Sequence, residues 1–237
     1  DAGNLTQAEK LDNQALEMSQ AVGQMQEAGE ALMDLAQVLA FENKLAQARK
    51  AAERAIDIWK GRHDDVMAGG CQALLAYVLL LSGDVPDEKP IKTAVSLFVE
   101  KKNSDFEYFA SAVILTTLVA KNKQDEMSTW IQKLEALEKR HQGIGPKLDA
   151  EMAVVQALAT QHHWSQARSR LQAAVALARK HSYDRQKLQA EAMLGKLMLE
   201  HGESRTGRQL LDTVMSEARE RRIALIPVLI HSTSRHS

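Results

Sequence analysis

The sequence predicts an all-α fold, a superhelical solenoid of antiparallel helix pairs, from three observations. Of 237 residues, 34 are Ala and 29 Leu against 12 Gly and 4 Pro, a composition rich in helix formers and poor in turn formers. Bend-tolerant residues recur at a nearly constant step: Gly3, Asn43, Gly83, Asn122, His162 and Gly202 are separated by 40, 40, 39, 40 and 40 residues. Small residues stand in pairs twelve apart, Ala36 with Ala48, Val155 with Ala167 and Gly195 with Gly207. Gly, Asn and His tolerate a left-handed backbone, the conformation that closes a helix before the chain turns back. Small side chains let the two helices approach. Together these features describe a helical hairpin repeated along the chain.

The helices follow in order. Each bend precedes a segment such as Leu5-Thr-Gln-Ala8, Leu45-Ala-Gln-Ala48 or Trp164-Ser-Gln-Ala167 that opens an amphipathic helix, and Glu203 to Gly207 does so more loosely. Second helices are expected near 5–20, 45–60, 88–101, 124–141, 164–180 and 204–221. First helices, marked by apolar spacing such as Leu32, Leu35, Ala36 and Leu39, are expected near 24–41, 65–81, 105–121, 147–160 and 185–200. Lys102 to Ser104 and Gln142 to Pro146 punctuate the links. Pro86 and Pro90 should delay the third second helix, where Glu88 replaces the expected Ala, and Leu115 and Met127 fill the small sites of the next pair. Residues 1–237 are therefore expected to form a single repeat domain. A lone opening helix and an apolar Ile226-Pro-Val-Leu-Ile230 stretch in the tail suggest a portion of a longer protein.

The motif Leu194-Gly195-x-x-Met198 followed by Gly207, and Leu35-Ala36-x-x-Leu39 followed by Ala48 and Ala55, resembles the tetratricopeptide repeat (TPR) family over residues 3 to 222. The period is 40 where the family has 34, so six residues must lengthen the helices or links. The family's aromatic positions and closing proline are mostly missing. A period of 40 also lies within reach of HEAT-like repeats, the alternative architecture.

Chemistry is sparsely signalled. Acids number 31 and bases 30, a net charge of −1, which gives no global attraction to nucleic acid or anionic membranes. The longest apolar run, Ala73 to Leu81, is nine residues, where a membrane helix needs about 20. One cysteine, Cys71, forms no internal disulfide, lies on an apolar helix without a His partner and leaves the compartment open. Gly143-Ile-Gly-Pro-Lys147 lacks a preceding strand, and Pro146 removes a donor that a phosphate cradle would use. His162 and His163 diverge on a turn, and Glu138-x-x-His141 has no second pair, so no metal site is expected. No catalytic motif occurs; the segment reads as a non-enzyme needing no cofactor.

Two surfaces remain. Between positions 168 and 187 the bases Arg168, Arg170, Arg179, Lys180, Arg185 and Lys187 face one acid, Asp184. On an outer helix face they should be solvated, with nucleic-acid contact as the alternative. The TPR resemblance implies instead a concave groove lined by first helices, and its groove positions fall on Met33, Gln37, Tyr77, Thr116, Met152, Gln156 and Lys196, with Phe109 and Tyr77 as aromatic anchors. Their mixed chemistry differs from the Lys/Arg clamp with which chaperone-binding members hold a carboxylate terminus. The resemblance is greatest to bacterial long-repeat members, which are attached to regulatory kinases or transcription activators. A protein-protein interaction module is the function this implies, binding a partner segment or another domain of its parent chain.

Overall fold

A computed structural model describes residues 2–221 and 223. Among them the chain is all-α, with eleven helices: α1 (Ala2–Ala21), α2 (Met25–Phe41), α3 (Leu45–Gly61), α4 (Asp65–Leu81), α5 (Glu88–Glu100), α6 (Ser104–Ala120), α7 (Gln124–Glu138), α8 (Ile144–Thr160), α9 (Trp164–Lys180), α10 (Asp184–Glu200) and α11 (Ser204–Glu220). The expected helices are all present. They fall into two compact units, one from Ala2 to Thr117 and the other beginning at Leu118. The tail stretch at 226–230 lies outside the described residues.

Five of the six expected bends are left-handed turns, at Asn43 (φ 59°), Gly83 (84°), Asn122 (52°), His162 (63°) and Gly202 (86°). Gly3 is a correction: it sits inside α1. The links between hairpins turn the same way, at Gly23, His63, Lys102 and Ser182. The turns from Asn43 onward carry the paired bonds of a Schellman motif, and that at Gly23 has the longer of the two, from the Gln24 N–H to the Ser19 carbonyl. At Asn43, for example, its N–H donates to the Ala40 carbonyl (3.1 Å) and the Lys44 N–H to that of Leu39 (2.8 Å), satisfying carbonyls the helix end leaves open. The underlying step is thus close to 20 residues, a 17-residue helix such as α2 or α3 plus a three-residue turn. That is where the excess over the 34-residue period goes: both helices of the pair are long, and both turns are short.

One link differs. Between α7 and α8 no residue is left-handed; the His141 Nδ1 instead accepts a hydrogen bond from the Gly143 N–H at 3.0 Å. The helix then starts at Ile144, so Gly145 and Pro146, expected in the link, belong to the first turn of α8. Proline is tolerated there because its missing N–H has no helical partner in any case. Pro86 and Pro90 do delay α5, which starts at Glu88 behind an Asp87 cap whose carboxylate accepts from the Lys89 N–H at 3.1 Å.

Packing trades volume between facing positions. In the first unit a Cβ on Gly29 would lie 2.8 Å from the Trp59 ring, and one on Gly69 would lie 3.2 Å from that of Phe98. Both rings sit four residues before a left-handed turn. In the second unit the positions equivalent to Gly29 and Trp59 are Leu188 and Ala218, which share one buried cluster: the large side chain has moved to the opposite helix. Such exchange keeps the interior filled without strain.

Candidate functional site

Around the small sites the helix faces alternate sharply. Ala36 and Leu115 are fully buried, and Ala76 and Val155 nearly so. The very next residues, Gln37, Tyr77, Thr116, Gln156 and Lys196, all retain exposure. A helix advances about 100° per residue, so this step carries the side chain from the hairpin seam to the open side of the first helix.

In the first unit this face holds Gln37, Tyr77 and Thr116, with Met33 and Phe109 partly exposed beside them. Tyr77 and Phe109 come from neighbouring first helices, α4 and α6, and meet edge to face with ring centroids 6.0 Å apart, a favourable arrangement that holds both rings in place. In the second unit it holds Gln156 and Lys196. Lys196 is held below the usual lysine range by burial, which outweighs its ion pair with Glu200 at 3.6 Å. Met152 departs from the expected set: it is 2% exposed and belongs to the core.

The basic segment is not an open stripe: Arg179 and Lys180 are exposed, as a solvated face requires, but most of its bases are paired with acids. Arg170 binds Glu151 (2.7 Å) and Glu135 (2.6 Å), which hold its guanidinium above its ordinary range, and Arg185 binds Asp149 at 2.8 Å. Lys187 pairs with Glu217 (2.6 Å), Arg179 with Glu191 (3.2 Å), and Arg168 with Glu203. Lys180 is exposed at the end of α9. Most partners lie 30 to 37 residues away, so the apparent surplus is neutralised by acids that stacking brings alongside. A phosphate backbone would have to displace these carboxylates.

The remaining candidates resolve into packing. Cys71 is fully buried, and burial pushes its thiol up to about 12, away from nucleophilic behaviour. Gly145 makes room for Tyr183, whose ring would lie 3.1 Å from an added Cβ. Trp164 lies tilted against His201 with ring centroids 4.2 Å apart and meets His162 edge to face at 5.4 Å, beside a shallow cleft of about 240 Å³ lined by Arg168, Leu197, Met198 and Glu203. The same kind of contact, from the residue ending a first helix to the start of an earlier second helix, joins Gln161 to Gln124 and Glu42 to Thr6. The cleft is therefore a seam between repeats. Among the described residues, no three potential ligands converge to hold a metal ion, and no helix is long and apolar enough to cross a membrane.

No protein-family profile matches the chain, and no curated protein does. Solved structures do. The Rap protein complexed with competence and sporulation factor superposes with a TM-score of 0.69 at 11% identity, covering 91% of this chain and 65% of that one. The nearly identical TPR-like repeats assigned to a kinesin light chain of Podosopora anserina superpose with a TM-score of 0.56 at 15% identity, covering 81% of this chain and 96% of that one. This chain thus spans just under two thirds of the length of Rap. Repeated hairpins, all-helical content and these superpositions together give this chain a tetratricopeptide-like helical repeat fold.

Proposed function

We infer that the chain is a non-catalytic interaction module whose first-helix faces hold a protein or peptide segment, within the regulatory or sensor part of a larger bacterial signalling protein. One observation carries the reading: the residue after each small site, from Gln37 to Lys196, keeps part of its surface exposed while its neighbour is buried. Within each unit repetition thereby offers polar groups one hairpin apart, amide, phenol and hydroxyl in the first and amide and ammonium in the second, the kind of surface that reads a partner segment. Tyr77 and Phe109 supply the aromatic area on which binding energy concentrates. The structural likeness to Rap, solved with a bound factor, supports a binding role for this fold.

The test is selection of peptides on the immobilised full chain, followed by calorimetric titration. Tyr77→Ala and Phe109→Ala should each weaken a selected peptide by about tenfold or more, the scale of a hot-spot truncation, while Lys180→Ala should not. Binding indifferent to Tyr77, Phe109, Gln156 and Lys196 alike would dismiss these faces as the site. A steep loss of affinity with salt would point back to a phosphate-like ligand.

A further inference from the structure

The charges of the first unit are sorted by layer. Its first helices, α2, α4 and α6 as far as Thr117, carry the acids Glu27, Glu30, Asp34, Asp65, Asp105 and Glu107 and not one Lys, Arg or His. The bases of its helices all sit on the second helices α1, α3 and α5, with acids among them. The second unit is not sorted in this way: α8 and α10 bring Lys147, Arg185, Lys187 and Lys196 alongside their acids. A helix dipole accounts for an acid in a first turn, such as Asp65, but not for carboxylates in mid-helix. Glu30 and Asp34 are such carboxylates. They stand seven and three residues before Gln37, a spacing that places them on its side of α2, and both are exposed. Glu30 also holds the place in the repeat that Phe109 holds, six residues before Ala36 as Phe109 is before Leu115. Helix α2 packs beside α4, whose Tyr77 meets Phe109 of α6, so carboxylates and aromatic rings share the face of neighbouring first helices. No described base forms an ion pair with either acid. Glu30 accepts from the neutral Gln26 amide at 3.2 Å, and Asp34 is held above the usual carboxylate range by partial burial and then by Glu30, a charge of its own sign.

We propose that the first-helix face of the first unit takes a cationic segment of a partner protein, with an Arg or Lys side chain lying against the Tyr77–Phe109 pair and the carboxylates of Glu30 and Asp34 beside it. Aromatic faces attract cations, and a guanidinium both stacks on a ring and forks onto a carboxylate. A bound cation would relieve the repulsion between Glu30 and Asp34, which nothing inside the chain offsets. An acidic segment would meet like charge on every first helix of the unit and be rejected. The proposal rests on the reading of these faces as the binding surface; it adds the sign of the partner's charge.

The probes are labelled peptides of one length, built from Arg-Leu-Ser, Gln-Leu-Ser or Glu-Leu-Ser repeats, titrated into the full chain by fluorescence anisotropy at a single salt concentration. The Arg peptide should bind at least about tenfold more tightly than the Gln peptide, and the Glu peptide most weakly. The double variant Glu30→Gln/Asp34→Asn should remove most of that preference, whereas Asp57→Asn, an exposed acid of the second helix α3, should leave it. Tyr77→Ala should weaken the Arg peptide as well. Because neither Glu30 nor Asp34 holds an ion pair, the double variant should melt no lower than the parent chain. No binding of any probe up to about 1 mM, equal affinity for the Arg and Glu peptides, or an Arg preference that the double variant leaves intact would overturn the proposal. If Tyr77→Ala still weakened the bound peptide in the last two cases, the face would stand as the site and only the charge preference would fall. Binding indifferent to both Tyr77→Ala and Phe109→Ala would remove the surface itself.

Discussion

Gly195 and Gly207 face each other across the last hairpin so closely that a Cβ on Gly207 would lie 2.7 Å from the Gly195 carbonyl oxygen and 3.0 Å from the Leu199 backbone nitrogen. Those are backbone atoms, which cannot swing aside. Gly207→Ala should therefore lower stability by about 1–2 kcal/mol, the overpacking cost exceeding the gain in helix propensity of roughly 1 kcal/mol. Urea unfolding reads it directly; an unchanged midpoint would mean that the helices separate at little cost.

Gly61 supplies the contrast. It ends α3 with nothing within 4 Å of an added Cβ and without a positive φ. Gly61→Ala should raise stability by about 0.5–1 kcal/mol, mostly through the unfolded chain. A loss at Gly61 as large as that at Gly207 would show that the close approach is not the cause.

These two glycines mark how far the sequence could be read. The twelve-residue pairing of small sites and the bends at Asn43, Gly83, Asn122, His162 and Gly202 were legible, because helix crossing and left-handed backbone restrict residue type. The links at Lys102 and Ser182 were not: neither residue favours the left-handed region, and only the hairpin geometry forces them there, which hid the 20-residue step. The basic segment misled for a different reason. Charge counted along a window sees Arg170 but not Glu135, 35 residues back, because stacking, not sequence, makes them neighbours. Met152 matched a groove position by register, three residues before its small site as Met33 is, yet it is buried where Met33 is partly exposed, a difference of packing that register does not encode.

The inter-repeat ion pairs also carry register. Glu9 with Lys44 (2.6 Å) and Arg168 with Glu203 occupy equivalent positions with the charges exchanged. Either order suits the geometry, so the exchange should be reproducible by mutation. Glu203→Lys alone should destabilise by about 0.5 kcal/mol, modest because both side chains are partly exposed, and adding Arg168→Glu should restore most of it. A double-mutant cycle at low salt checks this; zero coupling there would make the ladder incidental. High salt should shrink the coupling by screening.

Between α1 and α2 the electrostatics work against folding at neutral pH. Asp34 is lifted above its ordinary value of 3.8 by partial burial and then by Glu30, and Asp12 by partial burial and then by Asp34. A carboxyl with a raised folded pKa binds protons more readily folded than unfolded, so it lends stability as pH falls through that pKa and withdraws it as pH rises. Asp34→Asn should thus raise the urea midpoint at pH 7, and the gain should fade near about pH 3, where both forms are neutral. Equal gains at the two pH values would exclude this origin.

The turns allow the last prediction. Ser182 sits at φ 60°, where an L-residue pays roughly 1 kcal/mol for crowding between its Cβ and the backbone. Glycine does not. Ser182→Gly should therefore stabilise by about 0.5 kcal/mol, the relief of crowding reduced by the greater freedom of glycine in the unfolded chain. Gln142 stands at the same step of the 20-residue spacing, but its link is held by the His141 to Gly143 hydrogen bond without a left-handed residue. Gln142→Gly should consequently destabilise by about 0.5 kcal/mol, since it gains only unfolded-state entropy. Opposite signs at equivalent positions would establish that backbone handedness sets the residue preference; the same sign at both would refute it.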